Sequence, residues 1–409
     1  MPSRRRRDLA TVVGICAIAL ALGAAGKACR GFWGDPLSFL CHSDIRALYP
    51  LRGMDRDRFP YLHGELIVRT EPGPPERSRL RPVDGANEYP VLTGILMWLP
   101  TPVSDSPDTY LLATIVLLAP FGLATAWWLG RMTGRRALRW SASPILVLYA
   151  FHNWDLAVAA ASIAGVWCWW RNKPTAAAVC FGIGGALKLY PVLFLAPLVL
   201  DRIRDEDRPG AVRAGAAGVA TVVLVNLPIL LLSPSGWAVA YRFQGLRQPN
   251  DDSLWGVLSG LFALDQDAIT VWSTIAVVLV LAAVGWQTVR RARHDGPYPF
   301  LPACAALLAG FLLVSKVHSP QFALWLLPFF ALVRIRLAWY VLFVAGNVVM
   351  YASIFGISVW SLHARDVLVT WSVWARAATF LLLVMAFLRA PPAVDQTPVE
   401  IEREPVLAD

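Results

Sequence analysis

The chain has 409 residues, 56% of them hydrophobic and only 16% charged, with a mean hydropathy of +0.52. Soluble domains of this length could not hide that much apolar surface, and no long polar domain is visible, so the chain reads as an all-α polytopic membrane protein. The net charge of +9 does not point to nucleic acid, because the arginines cluster at the ends of apolar runs, the pattern that orients membrane proteins.

In chain order, the N-terminal run MPSRRRRDLATVVGICAIALALGAAG resembles a secretory leader, but Lys27-Ala28-Cys29-Arg30 makes a poor cleavage site. It is expected to stay as a first span over 9–26, with Arg4 to Arg7 in the cytoplasm. A first extracytoplasmic loop follows over 27–107, in which the proline-broken run 90–103 reads as an interfacial helix. Further spans are expected at 108–130, 139–152, 154–170, 174–187, 189–200, 211–232, 268–288, 298–315, 321–333, 337–357 and 367–388. About twelve spans put every short arginine-rich loop and both termini in the cytoplasm. The result is one membrane domain over 1–390 and a polar, disordered tail over 391–409. Cys29 and Cys41 share the first loop, as a disulfide or as two free thiols.

This alternation gathers the ionisable groups on one face. His42, His63, His152, His318 and His363 all fall outside, as do Asp44, Glu88, Asp155, Lys188, Asp251, Asp252 and Lys316. Three tight turns, at 152–155, 188–191 and 316–321, bring such groups to the same face as the long loop. Ionisable groups at membrane depth usually face a cavity and mark a site, so chemistry is expected outside the cell membrane.

Each candidate has a plainer reading. Asp44, in CHSDIRALYPLRG, is placed to act as a general base or simply to cap a helix beginning at Ile45. His42 and Arg46 accompany it. Asp55 and Asp57 have a DxD spacing, but among Arg52, Arg56 and Arg58 that reads as a solvated loop, and no metal site is expected. Glu88, beside Tyr89, is a second carboxylate or the N-terminal charge of the interfacial helix. Asn153 and Asp155 can hydrogen-bond sugar hydroxyls. Lys188, before Tyr190, has no acidic neighbour in sequence. It either snorkels to the surface or meets a lipid phosphate. Lys316 and His318 repeat that pattern, with Gln321 close by. No glycine-rich nucleotide loop is present.

The first-loop acid, the EYP segment at 88–90, and the ALKLYPVLFLAPLVL and KVHSPQFALWLLP hairpins together resemble the actinobacterial polyprenyl-phosphate-dependent mannosyltransferases of glycosyltransferase family 87. The resemblance runs from about 40 to 390. It implies a GT-C fold, a catalytic aspartate matched by Asp44, and a donor-phosphate contact matched by His318. Lys188 and Lys316 are added to that contact on physical grounds. It also implies a polyprenyl-phosphate sugar donor, usually mannose, and a glycolipid or cell-wall glycan acceptor at the outer face of the plasma membrane, without a cofactor. The family's Gly-Gln-Asn-like run is replaced here by His152-Asn153-Trp154-Asp155. A transporter or flippase of a lipid-linked sugar is the other reading. It would need polar groups along a path to both faces.

Overall fold

A computed structural model of the protein describes residues 2–28, 38–62, 64–71, 77–83, 85–356 and 362–394. Cys29, His63, the side chain of His363 and the tail beyond 394 lie outside these residues. Cys41 is disulfide-bonded, while Cys16, Cys168, Cys180 and Cys304 are free.

The chain is a helical bundle and a multi-pass membrane protein. Among the described residues, six helices are long and apolar enough to cross a bilayer: Arg5–Ala28, Pro107–Ser141, Arg208–Leu232, Gln266–Arg293, Leu337–Phe355 and Ala364–Arg389. Their outward faces are apolar and unpaired with protein, as at Val116, Val212, Leu231 and Trp371, each about 70% exposed, which suits lipid rather than water. The expected count of twelve is not met by length. Asp155–Trp170, Pro174–Leu187, Phe300–Val314 and Pro320–Leu332 are apolar but shorter. They pack inside the bundle. Phe300–Val314 is the extreme case, with every residue from Phe300 to Gly310 buried. The Arg208–Leu232 helix approaches Pro174–Leu187 closely, because a Cβ at Gly182 would meet the Gly218 carbonyl.

Local chemistry sets the helix ends. Ser106 and Thr109 form a reciprocal cap before Pro107, and Asp207, Ser233, Ser253 and Asp265 each accept a backbone N–H in the following first turn. The first turn beyond Ala390 is not free tail: the Arg334 amide donates to the Pro391 carbonyl, and the Ala393 amide to that of Leu332.

The long loop holds a feature that the residue pattern did not suggest. Glu65–Glu71 and Arg77–Val83 pair as an antiparallel hairpin, with Glu65 opposite Val83. The run 90–103 contains the short helix Val91–Trp98. Two buried contacts dock the loop. Arg52 grips Glu88 with two hydrogen bonds (2.7 and 2.6 Å) and also donates to the Pro82 carbonyl (2.7 Å). Tyr61, buried, directs its hydroxyl at the carbonyls of Tyr89 and Pro90 (2.9 and 2.8 Å) and packs directly on Gly94. A side chain at position 94 would overlap that ring. Gly94→Ala is therefore expected to destabilise the protein by about 1–3 kcal/mol, read as a lower thermal transition in detergent. Tyr61→Phe in the same background would not rescue it, because the ring carbons clash as well as the hydroxyl.

Candidate functional site

A cavity of about 730 Å³ opens at one end of the bundle, within the range of small-ligand sites. Its wall is made by the start of the Gln266–Asp295 helix, the end of Leu337–Phe355, the hairpin residues Ile67, Pro82 and Val83, and the turn at Ser319–Gln321. Asp44, His42 and His152 line it on one side, and Arg247, Asp251, Asp252 and Arg365 on the others.

Asp44 is the first residue of the Asp44–Leu51 helix, and Ser43 occupies the cap position. The expected capping role for Asp44 is thus not its role here. Ser43 spends its hydroxyl on the Phe151 carbonyl (2.8 Å), and the Asp44 amide donates to the His152 carbonyl (2.8 Å). These two bonds fasten the first loop to the turn after Tyr149. The Asp44 carboxylate, about a third exposed, accepts from Asn153 Nδ2 (3.1 Å) and lies 3.5 and 3.7 Å from the Nε2 atoms of His42 and His152. Burial pushes this carboxyl up, but His152, His42 and Asn153 outweigh it and hold the group below the usual carboxylate range. Burial drives His152 down to about 3, so it is neutral near pH 7, and the Asn153 hydrogen bond keeps its effect there. Asp44 is a carboxylate at neutral pH.

His42 is placed by its neighbours. Its carbonyl accepts from the buried Lys27 Nζ (2.7 Å), which also meets Tyr351 Oη (2.9 Å), and its ring stacks on Phe355 at 4.5 Å. His42, Asp44 and His152 offer ligand atoms within 4.8 Å of one another. Two imidazoles and a carboxylate suit zinc or a similar transition metal better than magnesium. Metal–ligand bonds near 2.0–2.2 Å would require the half-exposed His42 to swing inward.

Behind Asp44 lies a buried polar chain. Asn153 Nδ2 also donates to Tyr89 Oη (2.8 Å), while its Oδ1 accepts from the Trp154 amide (2.7 Å) and Lys188 Nζ (3.3 Å). Lys188 donates to Asp155 Oδ1 (2.7 Å), which also accepts from Trp325 Nε1 (2.6 Å). The rings of Tyr89, Phe322 and Trp325 surround the ammonium at 5.4–5.6 Å. Lys188, read as having no acidic neighbour, has one contributed by a distant turn, and neither it nor Asp155 lines the cavity. Tyr190 stacks on Trp325 at 4.4 Å and accepts from Ser162 Oγ (2.9 Å).

The remaining expected residues divide. Gln321 lines the cavity. Arg46 is tied to Asp108 (2.9 Å) and the Lys27 carbonyl (3.0 Å), and Glu88 to Arg52. Lys316 donates to the Gly245 carbonyl (2.7 Å) and Thr270 Oγ1 (2.9 Å), a latch between helices outside the cavity. His318 is buried directly behind Asp252, with Nδ1 3.6 Å from its carboxylate, and neither ring nitrogen makes a hydrogen bond. Burial first, then Arg376, lowers His318 to about 4.

Three basic residues escaped the sequence reading. Arg365 lines the cavity with its Nε buried and unbonded, Arg247 lines it beside Asn250, and the buried Arg376 donates to the Asp252 carbonyl. Two signals were available: Arg247 and Arg365 fall at span ends that the sequence pattern places outside, against that same pattern, and Arg376 is a charge inside a span.

The family model for glycosyltransferase family 87 matches residues 88–315, more than half of the chain. The chain belongs to glycosyltransferase family 87. It is also similar to the polyprenol-phosphate-mannose-dependent alpha-(1-2)-phosphatidylinositol mannoside mannosyltransferase of Mycobacterium tuberculosis (strain ATCC 25618 / H37Rv), at 26% identity over 269 residues. That alignment spans 59% of this chain and about three-fifths (60%) of the relative's length.

The Lys188–Asp155 pair gives a test of what the lysine does. Lys188→Met strands a buried carboxylate and is expected to cost about 3–5 kcal/mol, whereas Lys188→Met with Asp155→Leu recovers most of it. Thermal unfolding of the purified variants checks this. An unchanged transition in the single variant would show that the pair is not holding the turn.

Proposed function

We propose that this member of the family is a membrane glycosyltransferase of GT-C type that moves mannose from a polyprenyl-phosphate donor to a glycolipid or cell-envelope glycan acceptor at the extracytoplasmic face of the plasma membrane. The observation that carries the reading is Asp44, a carboxylate held by Asn153 on a cavity that Arg247 and Arg365, together with Asp251 and Asp252, also line. A phosphate leaving group departs as an anion and needs cations rather than a general acid, so the paired carboxylates of glycosidases are not required.

In this mechanism the acceptor hydroxyl oxygen attacks the anomeric carbon as the carbon–oxygen bond to the lipid phosphate breaks. The phosphate keeps the bonding electrons, and the hydroxyl proton passes to Asp44. A single displacement inverts the anomeric centre. A carboxylate with a lowered pKa is a weak base toward a free hydroxyl. It suffices here because the attacking oxygen becomes strongly acidic as its bond to the sugar forms. Asn153 aims the carboxylate. Arg365 and Arg247 take the phosphate oxygens, with the unbonded ring nitrogens of His318 in reserve behind Asp252. Lys188, Tyr89 and Asp155 act one layer back, by fixing Asn153. The mannose donor and the glycolipid acceptor rest on the printed function of the mycobacterial relative, and the outer face rests on the arginine distribution.

Asp44→Asn is expected to lower sugar transfer about 100-fold to 10,000-fold in membranes supplied with polyprenyl-phosphate mannose, at normal expression. Near-normal transfer would remove Asp44 from the reaction. Arg365→Gln is expected to raise the donor KM roughly 10- to 150-fold, in keeping with the loss of about 1.5–3 kcal/mol from a charge-assisted hydrogen bond.

The pH profile follows from the lowered Asp44 pKa. Activity should stay flat on the acid side until pH drops through the carboxylate range. Asn153→Ala removes a donor to the ionised form, so the acid limb should move to higher pH. Transfer should survive EDTA. Added Zn²⁺ should inhibit by drawing His42 and His152 onto the Asp44 carboxylate, and inhibition should weaken in His42→Ala.

A further inference from the structure

A second cavity, of about 520 Å³, lies between the end of the Leu195–Arg204 helix, the start of Arg208–Leu232 and the last turns of Gln266–Asp295. The last of these helices also fixes its place. Gln266 borders the cavity that holds Asp44, and Arg293 borders this one. At a rise of ~1.5 Å per residue the two are about 40 Å apart, the full thickness of a bilayer. The two cavities therefore open at opposite membrane surfaces.

Its lining combines charge with grease. Arg204, Arg208 and Arg293 contribute three guanidinium groups against one carboxylate, Glu206, and Ile203 and Val289 add an apolar wall. The sequence around it, DRIRDEDR, has more acids than arginines, but the structure reverses that balance at the cavity. Arg202 pairs with both Asp201 (2.9 Å) and Asp205 (2.6 Å), and Asp207 is spent capping the Gly210 amide (2.8 Å). Among the described residues, neither Arg208 nor Arg293 forms an ion pair. Arg204 is held in place by a bond to the Ala292 carbonyl (3.2 Å).

We propose that this cavity binds the phosphate of an anionic phospholipid headgroup, clamping the Leu195–Arg204 helix to Gln266–Asp295 at the surface remote from the sugar-transfer site. Phosphate chemistry follows from three convergent guanidinium groups. A lipid rather than free phosphate follows from the position at the ends of spanning helices and from Ile203, 48% exposed beside the charges. Basic pockets between spanning helices at that level are the usual seat of such headgroups.

The test uses the full-length protein in nanodiscs of phosphatidylcholine with or without phosphatidylglycerol, with retained lipid counted by native mass spectrometry. Wild type should keep phosphatidylglycerol after delipidation, and R208Q/R293Q should bind it about ten-fold more weakly or worse. R208K/R293K should retain it, which separates lost charge from lost fold, and R336Q at another exposed site should match wild type. Arg204 is left intact because it braces the Ala292 turn. Equal retention by R208Q/R293Q overturns the proposal. So does inorganic phosphate that binds alone and displaces the lipid, since that would make the site one for a soluble anion. Sugar transfer is not part of the readout, so this result stands apart from the proposed reaction.

Discussion

Asn153 has four hydrogen-bonding positions, and the fold uses all of them. Its two N–H groups meet Asp44 and Tyr89, and its oxygen meets the Trp154 amide and Lys188. The amide cannot be turned over. A flipped group would set oxygen against the Asp44 carboxylate and N–H against the Lys188 ammonium, both repulsive in a buried place. One side chain therefore ties the first loop, the turn after Tyr149 and the turn at Lys188 into a single geometry. The remaining supports serve that geometry. Lys27 fixes the His42 backbone, Trp325 and Asp155 fix Lys188, and the Arg52–Glu88 pair fixes the segment carrying Tyr89.

Much of this was legible from residue order. The arginine distribution and the tight turns predicted that ionisable groups would gather at one end, and Asp44, His42, His152, Asp252 and Gln321 do meet at the same cavity. The partners were not legible. Lys188 and Asp155 are 33 positions apart, and Trp325 joins from 170 positions away. No local pattern encodes such a pairing, so a lysine without an acidic neighbour in sequence was read as waiting for a phosphate. The Glu65–Val83 hairpin was missed for a different reason. Its strands are short and charged, and sit in a loop whose polarity hides any alternation. Six of the twelve expected spans are matched by helices long enough to cross; for the others, an apolar run of thirteen to sixteen residues reads the same whether it crosses lipid or lies buried among other helices.

Lys316 and His318 show how little spacing says about role. They are two residues apart on one turn. The first is consumed by the Gly245 carbonyl and Thr270, joining helices outside the cavity. The second sits with unbonded ring nitrogens behind Asp252. A regular extended backbone would put residues two apart on the same side; here the chain bends at Lys316, and the two side chains reach different neighbours.

The rigid side of the cavity and its other walls are different kinds of surface. Asp44 and its supports are fixed by bonds that leave almost no residue free to change. The other walls come from the paired strands, the stretch around Arg247 to Asp252 and the start of the Leu362–Arg389 helix, none of which hydrogen-bonds Asn153 among the described residues. Over evolutionary time this separation lets the protein keep one reaction while exchanging the molecules that undergo it. If the proposed reaction holds, related chains should diverge first along those walls and last around Asp44 and Asn153.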